Sequence, residues 1–177
     1  MINKDELLFV VDENNNPVKP KPRHEAHSKG LWHRNSHVWI MNSKKEILCQ
    51  KRSMKKDKKP GFWEAFFGGH LSPGEDHLSG AVKETKEELD LDVTEEKLIP
   101  FKVFKSRSGR EFISIYLFFW DGKAEEIKFE DDEIDQVKWV PFGELKEILL
   151  VKKEKNWTNL GYNRQMLAWL EKNFLSK

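Results

Sequence analysis

Cysteine is nearly absent: Cys49 is the only one in 177 residues. An internal disulfide is therefore excluded, and a metal centre built on several thiolates is disfavoured. Both fit a reducing compartment, so the expected location is cytoplasmic. Long apolar runs are also missing. The longest, "ISIYLFFW", is far short of the roughly 20 residues that a membrane-spanning helix needs. The opening "MINKDELLFVV" has no basic start followed by a long apolar stretch, so no signal peptide is expected. Neither charge dominates: 31 Lys and Arg meet 30 Asp and Glu, for a net +1. That balance gives no support to a protein held on nucleic acid by charge alone. There is no internal repeat and no low-complexity linker.

What is present suits one domain with short additions at its ends, long enough to bury a core. "ELLFVVDENNNPV" reads as a strand and a turn, and "KPKPRHEAHSKGLWHR" as a polar, His-containing stretch. "SHVWIMN" and "EILCQKR" are predicted strands around the turn "SKKE", "SMKKDKKPG" is a loop, and "FWEAFFGG" a short strand ending in a glycine turn. Leu78, Ala81, Val82, Thr85 and Leu89 recur at helical spacing and predict a helix from about His77 to Asp90, with Asp76 as N-cap. "LIPFKVFKS", "EFISIYLFFW" and "DQVKWVP" read as further strands, "FGELKEILL" and "NRQMLAWLEKNF" as helices. The order lacks regular βα alternation, so a mixed sheet flanked by helices is expected.

One helix crowds three acids. An α-helix turns by about 100° per residue, so Glu84, Glu87 and Glu88 share a face, away from the apolar stripe. Lys83 can relieve part of the repulsion by pairing with Glu87 one turn on. The remaining carboxylates are hard oxygen ligands suited to Mg²⁺ or Mn²⁺. A solvated Lys/Glu-rich face is the alternative.

The upstream residues carry a resemblance. From Gly69, five residues lead to Glu75 and seven more to "KETKEELDL". This resembles the Nudix box: glycine, five residues, glutamate, seven residues, then Arg-Glu-apolar-any-Glu-Glu-any-Gly-apolar. All four glutamates fall in place, as Glu75, Glu84, Glu87 and Glu88. Three positions depart: Lys83 for arginine, Thr85 for an apolar residue and Asp90 for glycine. Lys83 keeps the charge without the planar fork that grips a carboxylate. Asp90 can adopt the left-handed helix end that glycine usually supplies.

From about His27 to Leu91 the chain is also similar to a Nudix subgroup typified by isopentenyl diphosphate isomerase. "LWHRNSHVWIMN", "ILCQKRSMKKDKKPGFW" and "GGHLSPGE" carry that likeness. The isomerase keeps a catalytic cysteine where this chain has Gly68, and a Glu-any-Glu pair where only Glu111 stands near. A double-bond shift needs a placed acid and base, so the isomerase reading is disfavoured. His33 and His70 match positions of the isomerase's metal site and His27 lies close to a third; ordinary pocket hydrogen bonds are the alternative. Arg52 and Lys56 sit where the isomerase holds its diphosphate. Trp63 is a candidate for stacking on a base or lining the pocket, against burial in the core. "FEDDEIDQVKWVP" offers acids outside the box, of which the resemblance picks Glu133; a solvated acidic loop is the alternative.

The resemblance implies an α/β/α sandwich of the Nudix type with a mixed sheet, as a single domain over 1–177 with its core at about 34–150. It implies metal-dependent hydrolysis of a diphosphate linkage in a nucleoside diphosphate derivative or similar small molecule. Glu84, Glu87 and Glu88, with the Gly69 carbonyl, are the expected metal ligands, for Mg²⁺ or Mn²⁺. Glu84 or Glu133 is the expected base, and Arg52, Lys56, Trp63, His33 and His70 the expected substrate contacts. The expected partner is the small-molecule substrate, with neither nucleic acid nor membrane; a homodimer is left open. An isomerase-like enzyme and a ligand-binding module without turnover are the alternatives.

Overall fold

The computed structural model describes residues 6–56, 58–129 and 133–175. In chain order it has β1 (Leu7–Leu8), β2 (Lys21–Pro22), α1 (Arg23–Ser28), β3 (His33–Met41), β4 (Glu46–Arg52), β5 (Trp63–Glu64), α2 (His77–Leu89), β6 (Ile99–Ser106), β7 (Glu111–Phe119), β8 (Ile134–Pro141), α3 (Phe142–Lys146) and α4 (Asn163–Leu170). The last two helices continue as wider π-type turns over Glu147–Lys152 and Glu171–Leu175. Apart from the β1–β2 pair, hydrogen bonding orders the strands β5-β4-β3-β7-β6, with β8 on β4. Antiparallel pairings and a parallel bridge between Trp63 and Trp157 make the sheet mixed, in an α/β fold as expected. No helix among the described residues is long and apolar enough to cross a membrane.

The chain divides into two compact units: Met1–Val38 with Phe67–Leu117, and Trp39–Phe66 with Phe118–Lys177. In the first, β6 and β7 form a hairpin from Ile99↔Leu117 to Ser106↔Glu111. The segment after Ala65 runs beside β3 as an irregular strand. Val38 and Phe67 exchange backbone hydrogen bonds of 2.8 and 2.9 Å, the Ser36 N–H donates to the Gly69 carbonyl at 3.0 Å, and Leu71 donates to Arg34 at 3.1 Å. The helix α2 starts where expected. The Asp76 carboxylate accepts from the N–H groups of Leu78 and Ser79 at 2.8 and 3.0 Å, satisfying donors that a helix start leaves open. Its buried residues are Gly80, Ala81, Thr85 and Leu89, while Leu78 and Val82 are half-buried. Asp90 closes it in the left-handed conformation (φ 52°), the role that glycine plays in the box.

The polar stretch before β3 contains a helix that periodicity did not reveal. With six residues, α1 is too short to show a repeat. Glu25 holds it by bridging Lys21 and Lys29, one turn on either side, at 2.9 and 2.7 Å. Ala26 is its buried residue, in a small apolar cluster with Leu8 and Val10.

In the second unit β4 is central. β8 pairs along it from Glu46↔Pro141 to Arg52↔Ile134, and β5 pairs with its end through Gln50↔Glu64 and Lys51↔Trp63. Trp39, Ile40, Ile47, Leu48, Leu145, Tyr162, Met166, Leu167 and Leu170 are buried. Each fully buried large side chain contributes roughly 1.5–3 kcal/mol. Of the late tryptophans, Trp157 is buried against Trp63, and Trp120 stacks on Trp139.

Buried polar groups concentrate on β3: His33, Asn35, Ser36 and His37 are all inside. Full burial pushes the His37 imidazole from 6.5 down to about 4, while the charge of Glu111 pulls the other way. The unfolded chain then binds a proton between these values that the folded chain refuses. Folding stability is thus fully present above about pH 6.5 and is lost as the pH falls toward 4, by about 3 kcal/mol. Urea unfolding from pH 4 to 7 checks this: His37→Asn, which cannot titrate, should flatten the slope over that window.

Candidate active site

The glutamates come from α2, and the loop before it meets them. The Gly68 N–H donates to Glu88 Oε2 at 2.9 Å. Glu84 lies against Gly69 so closely that a Cβ there would stand 2.5 Å from Glu84 Oε2. Of the three box glutamates on α2, Glu88 is thus hydrogen-bonded to Gly68, Glu84 packs against Gly69, and Glu87 is exposed. The expected pairing of Lys83 with Glu87 is not the one formed. Lys83 Nζ reaches back to Glu75 Oε1 at 3.0 Å, and Glu75 Oε2 accepts from the Ser72 N–H at 2.7 Å. A lysine stem is long enough to tie the helix to the turn before it, which an i,i+4 contact does not do. Burial lowers the Lys83 ammonium, but Glu75, Glu87 and Glu84 together raise it above its ordinary value.

Thr85 is buried where the box has an apolar residue, and its hydroxyl donates to the Ala81 carbonyl at 2.8 Å. The polar atom is satisfied within the helix and its methyl is left to pack. The Gly69 carbonyl, expected as a metal contact, already accepts from Ser36; a carbonyl has a second lone pair for a cation. Hard carboxylate oxygens fit Mg²⁺ or Mn²⁺ chemically. Among the described residues, however, the one trio with ligand atoms within 4.8 Å of one another is His27, His33 and His70. Glu84, Glu87 and Glu88 are not drawn that close.

The histidine rings have centroids 5.1–5.2 Å apart. His33 Nδ1 lies 2.9 Å from the Leu31 carbonyl, which can only accept, so Nδ1 carries the proton and a neutral ring leaves Nε2 bare. That Nε2 is buried, makes no hydrogen bond among the described residues, and lies 3.7 Å from Glu111 Oε1. A bare nitrogen facing a carboxylate repels it unless a proton or a cation intervenes. Burial raises the Glu111 carboxyl, and His33 and His37 more than reverse this, leaving it below its ordinary value. The nitrogen-rich set fits a first-row transition metal better than Mg²⁺.

The remaining candidates belong to the second unit. Arg52 Nη1 pairs with Glu64 Oε2 at 3.1 Å, and Lys56 Nζ with Glu133 Oε1 at 2.5 Å. Arg52 and Lys56 are therefore each held by an acid. The register sets Gln50, Arg52 and Glu64 on one face of the sheet and Lys51 and Trp63 on the other. Trp63 stacks on Trp157 at 5.8 Å, with Lys138 Nζ 4.3 Å above its ring. Of the acids near Glu133, residues 130–132 lie outside the described residues. Glu64 and Thr158 escaped the sequence reading. No local spacing marks them, and only strand register brings Glu64 to Arg52.

Gly68 decides the comparison with the isomerase pattern. Its φ is +128°, and a Cβ there would stand 2.1 Å from the Ser36 carbonyl oxygen. That oxygen is backbone, fixed within β3, so no side chain fits without moving a strand. Gly68→Cys should therefore lower stability by roughly 3 kcal/mol or more without creating a placed thiol. Thermal unfolding and thiol titration of the native protein check both points.

Comparison with known proteins agrees with this geometry. The NUDIX domain family matches residues 31–161. An uncharacterized Nudix hydrolase of Clostridium acetobutylicum is 30% identical over 155 residues, 82% of this chain and 75% of that protein. An isopentenyl-diphosphate Delta-isomerase of Serratia proteamaculans is 29% identical over 125 residues, 68% of this chain and 70% of its own. A Deinococcus radiodurans crystal structure shares the fold with a TM-score of 0.71 at 21% identity, covering 93% of this chain and 98% of that one. The chain belongs to the Nudix family, among its diphosphate hydrolases, in a subgroup related to the isopentenyl-diphosphate isomerases.

Proposed function

We propose that this chain hydrolyses a diphosphate linkage in a nucleoside diphosphate derivative or a similar small molecule, with Mg²⁺ or Mn²⁺ held by Glu84, Glu87 and Glu88. The observation that carries the reading is that the Gly68 N–H holds Glu88 while Glu84 packs against the bare Gly69. A solvated face needs no such anchoring. A divalent cation bound there neutralises phosphate oxygens and lowers the pKa of attacking water. The protein's own part is orientation. Gly68 N–H donates to one oxygen of Glu88 and so fixes the direction of that carboxylate. Lys83 and Glu75 tie α2 to the preceding turn, so the Thr85 and Asp90 departures leave the acids on one rigid face. Glu84 or Glu133 is the proposed base. Arg52 and Lys56 are the proposed diphosphate contacts, the first as a fork and the second as a point charge.

The Clostridium relative, named a Nudix hydrolase, and the closed position at Gly68 support hydrolysis over isomerisation. An assay panel of nucleoside diphosphate derivatives, dinucleotides, sugar nucleotides and isopentenyl diphosphate, with Mg²⁺ and with Mn²⁺, tests the reading. Release of phosphate or a nucleoside monophosphate is expected, falling by about 100-fold or more in Glu88→Gln. Proton exchange into isopentenyl diphosphate without phosphate release would favour the isomerase, and tight binding without turnover a binding module.

The histidine trio supports a second cation in this reading, because its ligand atoms lie within 4.8 Å of one another and the buried His33 Nε2 makes no hydrogen bond among the described residues. Metal analysis of purified protein equilibrated with Mn²⁺ or Zn²⁺ should find one more equivalent in the wild type than in His33→Gln, with Glu88→Gln keeping it.

A further inference from the structure

Glu64 is an expensive residue. It is only 4% exposed, and burying a carboxylate costs several kcal/mol unless its oxygens are met. Both are met. Oε2 pairs with Arg52 Nη1 at 3.1 Å, and Oε1 accepts from the Thr158 hydroxyl at 3.0 Å. Thr158 is itself buried and lies 94 residues further along the chain. The Arg52 guanidinium has a second anchor, since its Nε donates to the Lys58 carbonyl at 3.2 Å. These two contacts engage two of its five N–H groups, on different nitrogens, and fix the plane of the fork. The Arg52 side chain stays 21% exposed while the carboxylate that holds it is inside.

The other face of the same strand shows how Thr158 is brought there. The Trp63 N–H donates to the Asn156 carbonyl, and the Thr158 N–H to the Trp63 carbonyl, both at 2.8 Å. This runs segment 156–158 parallel to β5. Trp63 and Trp157 stack with planes 23° apart, and Lys138 caps Trp63. Strand alternation does the rest: with Trp157 stacked on Trp63, its neighbour Thr158 turns to the opposite face, where Glu64 lies. A scaffold that only needed stability would do as well with apolar residues of similar volume, since a buried ion pair is a poor source of stability. What this one supplies is the direction of a guanidinium.

We propose that Glu64, oriented by Thr158, is a positioning residue that aims the Arg52 fork at a phosphate group of the substrate. The inference rests on the reading of Arg52 as a diphosphate contact, and the Trp63–Trp157 stack serves it by clamping the segment that carries Thr158. The probe is Mg²⁺-pyrophosphate, its Kd measured by calorimetry on the full chain, with thermal midpoints recorded alongside. Glu64→Gln should weaken binding about tenfold in the wild-type background and leave Kd unchanged in an Arg52→Ala background. Thr158→Val should act in the same direction as Glu64→Gln, and Thr158→Ser, which keeps the hydroxyl, should restore most of the loss; this pair carries the test if Glu64→Gln does not fold. Equal weakening by Glu64→Gln in both backgrounds would make Glu64 a general structural residue and overturn the proposal. So would an unchanged Kd in Glu64→Gln when Arg52→Ala weakens binding. If Arg52→Ala itself changes nothing, the reading of Arg52 fails, and this inference with it.

Discussion

The backbone pairing between β3 and the glycine segment is the constraint on which the placing of the α2 glutamates depends. Ser36 donates to the Gly69 carbonyl and crowds Gly68 so tightly that only a hydrogen fits on its α-carbon. The Gly68 N–H is thereby aimed at Glu88, and Gly69 is left bare for Glu84. Carboxylates that would otherwise repel one another are held by a strand edge rather than by their own preference.

The same constraint separates two chemistries that share a fold. A thiol at position 68 would need a different path for the backbone, so the lack of the isomerase cysteine reflects a loop built around glycine. The histidine trio shows the other side of this kinship. It stands close to the positions that the isomerase resemblance marked, with the His33 ring turned by the Leu31 carbonyl so that Nε2 faces inward. Fold and part of a site can persist while the reacting group changes, because each depends on different residues.

In both units an acid pairs with a more exposed base. Glu75 takes the Lys83 ammonium and ties helix to turn; Glu64 takes the Arg52 guanidinium and ties strand to a distant segment. In each case the acid is the less exposed partner, 25% against 41% and 5% against 21%. Where the sequence reading paired Lys83 with Glu87, it used helical spacing alone. The lysine instead chose a carboxylate already oriented by a backbone N–H, which loses less freedom on pairing.

By itself the sequence determined what depends on short-range spacing. The period of α2, its Asp76 cap, the left-handed end at Asp90 and the shared face of Glu84, Glu87 and Glu88 follow from helix geometry, which neighbours along the chain decide. The strand β7 was legible from its nearly continuous apolar and aromatic run, and β4 and β8 from short apolar stretches bounded by turn residues. Tertiary structure alone decided which face a residue meets and with whom. The short helix α1, the closure around Gly68, the pairing of Lys56 with Glu133 and the approach of Thr158 to Glu64 depend on strand register and on contacts up to 94 residues apart. Register is set by how whole strands bury their faces, a property of the assembled sheet that no local window contains.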